Sequence, residues 1–198
     1  MGQEIADRIT PFTRQELLDS LAAAWPSIVG SPCTNADSLR VLAAQICLEC
    51  GNGAHCHGYN LGNAKATVTG KYDYAFFRCD EVIGGKIVWF DPPNPACCFR
   101  AFESLTAGVL DYLAMMFANG NFKRAWPAVI SGDPAQFCRL LRQANYYTAD
   151  EGQYTRAVVS IFGDLRSLVP SPPSKNEAVA CEMTYRDLLL IPGDCEDL

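Results

Sequence analysis

The sequence predicts an α+β fold that is mostly helical and carries one small β-hairpin. Apolar residues recur at helical spacing in several separate segments, and one Gly-Gly pair is flanked by aromatic and β-branched residues. The 198 residues are 49% hydrophobic and 19% charged, which is typical of a globular chain. A chain of this length corresponds to a single domain with room for a short appendage.

Two helices are predicted before the first glycine-rich segment. Thr13 and Glu16 have the spacing of a capping box, and leucines follow at helical spacing. We therefore predict a helix over 14–25 that ends at Pro26. A second helix with an apolar face is predicted over 37–50, and a loop rich in glycine and asparagine follows it.

The β-hairpin is predicted over residues 72–90. Aromatic residues precede Gly84-Gly85, and the run 87–90 after the glycines combines β-branched and aromatic side chains. Glycine tolerates the positive φ values that two-residue hairpin turns require. The proline-rich stretch 91–95 ends this element.

Three further helices are predicted in the second half of the chain. They run from Ser104 to a stop at Gly120, from the cap at Asp133-Pro134 to Gln143, and over 151–168. Residues 170–174 have the composition of a linker. We therefore expect one domain over 1–169, and a linker with a short C-terminal tail packed on that domain over 170–198. One short helix is predicted in the tail near 177–190.

Charge and cysteine content limit the classes of function. The net charge of -6 and the lack of any cluster of Lys and Arg argue against a nucleic-acid partner. No apolar run reaches the roughly 18–20 residues that span a bilayer, and the first residues do not resemble a Sec signal peptide. The ten cysteines are typical of an oxidising compartment. We expect a chain that either stays reduced in the cytosol or leaves it without a cleaved leader.

Glu49 is the first candidate for catalysis. It lies in the last turn of the predicted apolar helix, just before Gly51, where a negative charge opposes the helix dipole. Glycosidases need one protonated carboxyl group that donates to the leaving oxygen, and apolar surroundings favour that state by raising its pKa. Ile46, Leu48 and the aromatic hairpin are expected to supply such surroundings.

Four short segments share the order and spacing of motifs found in one enzyme family. They are 42–51, with Ala44-Gln45 ahead of Glu49; 59–66, starting Tyr59-Asn60-Leu61-Gly62; 99–104, starting Phe99-Arg100; and 144–150, with Tyr154 beyond. Together, over roughly residues 38–165, they resemble the motifs of the glycoside hydrolase family 73 glucosaminidases. The chain departs from the family pattern at Cys50, where serine or threonine is usual, and by one residue inserted between Asp150 and Tyr154.

The resemblance implies a lysozyme-like domain that hydrolyses the β-1,4 bond after N-acetylglucosamine in peptidoglycan, without a cofactor or a metal. By motif position Glu49 is its general acid, and Tyr147 falls on a tyrosine that lines the cleavage site. Substrate-binding positions implied by the same motifs are Tyr59, Asn60, Tyr146 and Asp150.

The family places its second carboxylate in the β-lobe, where four residues of this chain compete for the role. The candidates are Asp73, Asp80, Glu81 and Asp91. Glu81, just ahead of the hairpin turn, best matches the acidic residue of the family. The distance between the two carboxylates decides between inversion and retention, and the sequence does not supply it.

A cluster of cysteine and histidine residues follows the proposed acid. Its members are Cys47, Cys50, His55, Cys56 and His57. This spacing can hold Zn²⁺, but a disulfide that ties Cys50 or Cys56 to a neighbouring segment explains it more simply. A Cys-His pair for amide cleavage is a third alternative.

The leading hypothesis is a peptidoglycan N-acetylglucosaminidase. Alternatives are a muramidase or lytic transglycosylase on the same fold, and a zinc-binding structural or wall-binding module without catalysis. The chain also resembles the type VI secretion glycoside hydrolase effectors, which implies secretion without a Sec signal peptide, action in the target cell periplasm, and a cognate immunity protein. A phage endolysin and a flagellar wall-remodelling enzyme are the other settings considered.

Overall fold

The computed structural model describes residues 1–171, and these form a mostly helical α+β fold of the lysozyme-like class. This confirms the predicted fold class. The helices are α1 (Arg14–Val29), α2 (Ala36–Glu49), α3 (Leu105–Ala118), α4 (Trp126–Ser131), α5 (Pro134–Gln143) and α6 (Glu151–Leu165). The strands are β1 (Tyr74–Phe76), β2 (Cys79–Ile83), β3 (Lys86–Phe90) and β4 (Cys98–Arg100). The predicted tail helix near 177–190, together with Cys181 and Cys195, lies outside the described residues.

Helix α1 begins as predicted but continues past its proline. The Thr13–Glu16 capping box is present, with the Thr13 backbone N–H donating to the Glu16 carboxylate at 2.7 Å. The prediction that Pro26 ends the helix was wrong. A proline removes only one helical hydrogen bond, and burial of Ile28 in the following turn favours continuation. Gly30 ends the helix instead, with a left-handed φ of 83°.

Helix α2 is the central helix of the fold. It packs against α1, α4 and α6, and residues 41–47 are all buried. A helix that is apolar on every side is buried on every side. Glu49, its last residue, is therefore the point at which the central helix leaves the core.

The β-lobe contains the predicted hairpin and a second pair of strands. Strands β2 and β3 are antiparallel around Gly84 and Gly85, whose φ values of 58° and 78° confirm the predicted turn. The prediction that the hairpin begins at residue 72 was wrong, because β1 pairs with β4 rather than with the second hairpin arm. A pattern of aromatic residues identifies a strand but not its partner.

A column of stacked side chains stiffens the β-lobe. Phe77 stacks on Phe99 with ring centroids 4.1 Å apart, and His57 stacks on the other side of Phe77 at 4.3 Å. The ammonium group of Lys65 caps the column 3.9 Å from the Phe99 centroid. At the far end, Nδ1 of His57 lies 2.7 Å from a carboxylate oxygen of Asp7. The column links the N-terminal segment to the loop that carries Lys65.

The short helix α4 was not predicted. It has six residues and follows a 3₁₀ turn over Phe122–Ala125, so it is too short to show helical periodicity. Its Trp126 stacks on Trp25 of α1 at a centroid distance of 5.2 Å. Helices α3, α5 and α6 start and end within a few residues of their predicted limits. None of the helices within residues 1–171 has the length and apolar character needed to cross a membrane.

Candidate active site

Glu49 is half-buried at the end of α2, and three hydrogen-bond donors converge on its carboxylate. The Tyr154 hydroxyl donates to Oε1 at 2.7 Å, and the Gln45 amide donates to the same oxygen at 3.1 Å. The Asn63 amide donates to Oε2 at 3.1 Å. The two oxygens therefore differ, because Oε1 is held from inside the protein and Oε2 from an exposed loop residue.

The donors on Oε1 belong to a network of one glutamine and three tyrosines, named here the glutamine–tyrosine network. Gln45 is fully buried and sits at its centre. Its side-chain oxygen accepts a 2.6 Å hydrogen bond from the Tyr112 hydroxyl. Its amide nitrogen lies 3.1 Å from the Tyr146 hydroxyl and 3.2 Å from the Tyr154 hydroxyl, besides its contact with Glu49. Gln45 thus contacts the carboxylate and all three tyrosines of the network.

The three tyrosines of the network retain their protons over the physiological range. Burial raises the pKa of Tyr112, Tyr146 and Tyr154 well above the usual value. The negative charge of Glu49 raises all three further, because it opposes a second negative charge nearby. A protonated Tyr154 donates its hydroxyl hydrogen to Oε1 of Glu49, and this bond is charge-assisted whenever Glu49 is in its carboxylate form.

A cleft of about 600 Å³ opens between the helices and the β-lobe, and Glu49 is not one of the residues that line it. Its walls come from the loop that follows α2, the start of the hairpin, and the segments after α3 and α5. The lining residues are Gly62, Asn63, Ala64, Lys65, Phe77, Arg78, Cys79, Asp80, Glu81, Phe99, Met115, Asn121, Phe122, Ala144, Asn145 and Tyr146. Asn63 therefore connects Oε2 of Glu49 to the cleft.

Two of the four candidate second carboxylates line the cleft, namely Asp80 and Glu81. Glu81 lies 3.2 Å from Nζ of Lys65, and both side chains are partly exposed. Asp73 instead accepts a hydrogen bond from the backbone N–H of Gln3, and Asp91 pairs with Arg78 at 2.9 Å. Neither of these two is among the lining residues.

Comparison with solved structures identifies the fold. The chain superposes on a C-terminally truncated glycoside hydrolase domain from Salmonella typhimurium FlgJ with a TM-score of 0.51 and 21% identity, covering 79% of this chain and 99% of that one. It superposes on a peptidoglycan hydrolase mutant from Sphingomonas sp. A1 with a TM-score of 0.54 and 21% identity, covering 76% and 96%. The fold is that of these two hydrolases. No protein-family model matches the sequence, and no curated protein matches it.

Of the other five residues predicted for the site, Tyr146 lines the cleft and the remaining four do not. Tyr146 lines the cleft and donates to the Gly62 carbonyl at 3.1 Å. Tyr147 is buried behind Tyr154, with the rings stacked at 3.7 Å, and its hydroxyl donates to the Cys138 carbonyl at 3.0 Å. The hydroxyl that reaches Glu49 is therefore that of Tyr154.

The three remaining substrate-binding candidates make structural contacts outside the cleft lining. Asn60 is buried and closes its own loop through two hydrogen bonds with the backbone of Ala64. Asp150 caps α6 by accepting from the Gln153 N–H at 2.8 Å. The Tyr59 backbone N–H donates to the Thr10 hydroxyl at 2.7 Å.

The cysteine and histidine cluster is neither a disulfide nor a metal site in this structure. All eight cysteines within residues 1–171 are free thiols, so the disulfide prediction is not supported. Cys50 and Cys56 are in hydrogen-bond contact, which raises the pKa of the Cys50 thiol and lowers that of Cys56. No group of three or more His, Cys, Asp or Glu side chains in this part of the chain is arranged to hold a metal ion.

Sequence reasoning did not assign roles to four residues that contact the carboxylate or its support. They are Gln45, Asn63, Tyr112 and Tyr154. The contact of Gln45 was predictable, because Gln45 lies four residues before Glu49 and therefore on the same face of the helix. The contact of Tyr112 was not predictable, because it joins Tyr112 to Gln45, which lies 67 positions away in the sequence.

Proposed function

We propose that this protein is a peptidoglycan glycoside hydrolase that cleaves the β-1,4 bond between N-acetylglucosamine and N-acetylmuramic acid, with Glu49 as the general acid. The observation that carries the proposal is the carboxylate of Glu49, held by three donors, one of which, Asn63, lines a cleft of about 600 Å³. The fold, which is that of a glycoside hydrolase domain and a peptidoglycan hydrolase, supports it.

The contacts of Glu49 suit the role of an acid that delivers a proton from one oxygen. Oε2 faces the cleft loop through Asn63, so it is the oxygen assigned to carry the proton to the glycosidic oxygen. The bond between that oxygen and the anomeric carbon then breaks, and Glu49 is left as a carboxylate. Tyr154 and Gln45 already donate to Oε1, so the new negative charge forms where donors are in place.

Glu81 is proposed as the second carboxylate of the reaction. It lines the cleft, and side chains alternate along a strand, so it projects from the same face of β2 as Cys79. Cys79 in turn lies 3.9 Å from Nζ of Lys65, which is the ion-pair partner of Glu81. In this role Glu81 activates water or stabilises the positive charge that develops on the sugar ring. Tyr147 acts by supporting Tyr154 in this scheme.

The decisive experiment compares sacculus digestion by wild type, Glu49→Gln and Glu103→Gln. Glu103 is exposed and lies outside the cleft lining, so it is the matched control. Reduced N-acetylglucosamine ends, identified by mass spectrometry and lost only in Glu49→Gln, are the expected result. Reduced muramic acid ends would indicate a muramidase, and anhydro-muramic ends a lytic transglycosylase. Absence of soluble products from folded wild type would refute the proposal.

We also propose that the protein acts as an antibacterial effector in the periplasm of a target cell, where its substrate lies, and that a cognate immunity protein blocks its cleft. A type VI secretion system is the proposed route. Wild type directed to the periplasm of a test bacterium is expected to lyse it, whereas cytoplasmic wild type and periplasmic Glu49→Gln are not. Equal toxicity of wild type and Glu49→Gln would contradict this role.

A further inference from the structure

A second, smaller cavity adjoins the cleft on the side away from the hairpin. It has a volume of about 110 Å³ and shares Asn121, Ala144 and Asn145 with the cleft. Its other lining residues are Arg124, Leu140 and Gln143. We call it the side pocket. Because its lining overlaps that of the cleft, a ligand held in the cleft can extend into it.

The side pocket is lined by hydrogen-bonding groups. Asn121, Asn145 and Gln143 each bring a side-chain amide, and Arg124 brings a guanidinium with five N–H donors. Its small volume suits a carboxylate and the carbon atoms next to it better than a sugar ring. The side pocket is therefore rich in N–H donors, and it is about the size of one small anionic group.

Arg124 is the cation that distinguishes this pocket. Within residues 1–171 its guanidinium has no hydrogen bond and no ion pair. The two cations of the main cleft differ, because Lys65 pairs with Glu81 and Arg78 pairs with Asp91. In a chain with a net charge of -6, an unpaired arginine beside a substrate cleft is available to an anion.

The backbone beneath Arg124 is firmly anchored. Its neighbours Phe122 and Ala125 in the 3₁₀ turn are buried, with 7% and 1% of their surface exposed. Phe122 also packs edge-on against Tyr146, a member of the glutamine–tyrosine network, at 5.2 Å. The backbone of Arg124 therefore has a defined position relative to Glu49 and does not belong to a free loop.

We infer that the side pocket binds a carboxylate of the peptide stem carried by muramic acid, with Arg124 as the residue that recognises it. The inference rests on the proposed function and adds a substrate preference for strands that bear peptides. A guanidinium pairs with a carboxylate through two parallel hydrogen bonds, and the neighbouring amides donate to the remaining lone pairs. Strands stripped by an amidase have the same sugars and a free lactyl carboxylate on each muramic acid, but they lack the stem carboxylates, which lie farther from the sugar ring and are the groups assigned to the pocket.

The test compares intact peptidoglycan with the same strands after an amidase has removed the stems. Arg124→Gln keeps hydrogen-bond donors but removes the charge, and Arg156→Gln on the surface of α6 is the matched control. Arg124→Gln is expected to lower kcat/KM on intact strands about tenfold, equivalent to ~1.4 kcal/mol, mainly through KM. On stripped strands it is expected to match wild type, and Arg156→Gln is expected to match wild type on both.

Two results would overturn the inference: equal loss on both substrates, or no loss on intact strands. A binding comparison separates this inference from the proposed function. Immobilised glycan strands with and without stems are incubated with Glu49→Gln and with the double variant Glu49→Gln/Arg124→Gln, and the retained protein is measured. Weaker retention of the double variant than of Glu49→Gln, seen only on strands that carry stems, supports the pocket even if wild type hydrolyses neither substrate. Equal retention of the two variants on strands that carry stems refutes it.

Discussion

Removal of the Tyr154 hydroxyl tests which tyrosine supports Glu49. Tyr154→Phe deletes the 2.7 Å hydrogen bond to Oε1 but keeps the ring that stacks on Tyr147. Hydrogen bonds to charged groups contribute about 1.5–3 kcal/mol, and Gln45 still donates to the same oxygen at 3.1 Å, so the lower part of this range applies. Each 1.36 kcal/mol is tenfold in rate, and we therefore expect kcat/KM to fall about 10–30-fold.

Tyr147→Phe is the matched control for that experiment. It removes a neutral hydrogen bond to the Cys138 carbonyl, so it is expected to lower stability by about 1 kcal/mol and to leave kcat/KM within about twofold. Initial rates on purified sacculi, with a thermal melt of each variant, give both numbers. A loss in Tyr147→Phe equal to or greater than that in Tyr154→Phe would refute this reasoning and assign the reaction to the Tyr147 hydroxyl.

Three further predictions concern stability. Asp111→Ala leaves the Arg100 guanidinium without the two contacts of 2.9 and 3.1 Å that tie β4 to α3, so we expect a loss of about 3–5 kcal/mol; a Tm within 2 °C of wild type would contradict this. Gly108→Ala is expected to destabilise the fold, because a Cβ there would lie 2.1 Å from the Tyr59 carbonyl oxygen. At Gly163 an added Cβ meets nothing within 4 Å, so Gly163→Ala is expected to stabilise helix α6 by about 0.5–1 kcal/mol. A higher Tm for Gly108→Ala than for Gly163→Ala would contradict this packing. Because the network tyrosines have raised pKa values in the folded protein, we expect their contribution to the free energy of unfolding to be fully present below about pH 10, the pKa of an unfolded tyrosine. It is lost as the pH rises above that value, because only the unfolded chain then releases these protons. Unfolding in urea at pH 8 and pH 11 measures the change, and equal stability at both would exclude it.

Local signals in the sequence predicted most elements but not how they pair. The capping box at Thr13 and the Asp133-Pro134 cap each involve neighbouring residues, so the helices that they start were predicted correctly. Pro26 was misread because the burial that continues α1 past it comes from tertiary packing. Strand β1 was assigned to the wrong partner because β4 lies more than twenty residues away along the chain.

The candidate site was predictable where it depends on a motif and not where it depends on contacts. Glu49 and Glu81 were named in advance; Glu81 lines the cleft, whereas Glu49 contacts the lining residue Asn63 without lining the cleft itself. Tyr147 and Tyr154 lie on adjoining segments, and only their packing shows which hydroxyl faces Glu49. The support from Tyr112 comes from a side chain of α3, a helix that packs on α1, whose hydroxyl reaches Gln45 of α2, and no spacing in the sequence reports this contact.

The distribution of the donors around Glu49 has a consequence for the growing chain. Glu49 is synthesised early, whereas Tyr146 and Tyr154 come about a hundred residues later, at the end of the domain. A ribosome-bound fragment, or a chain cut by a protease before α6, contains Glu49 but lacks the Tyr154 hydroxyl that donates to it. The set of contacts around Glu49 is thus complete only after α6 has been synthesised and has packed against α2.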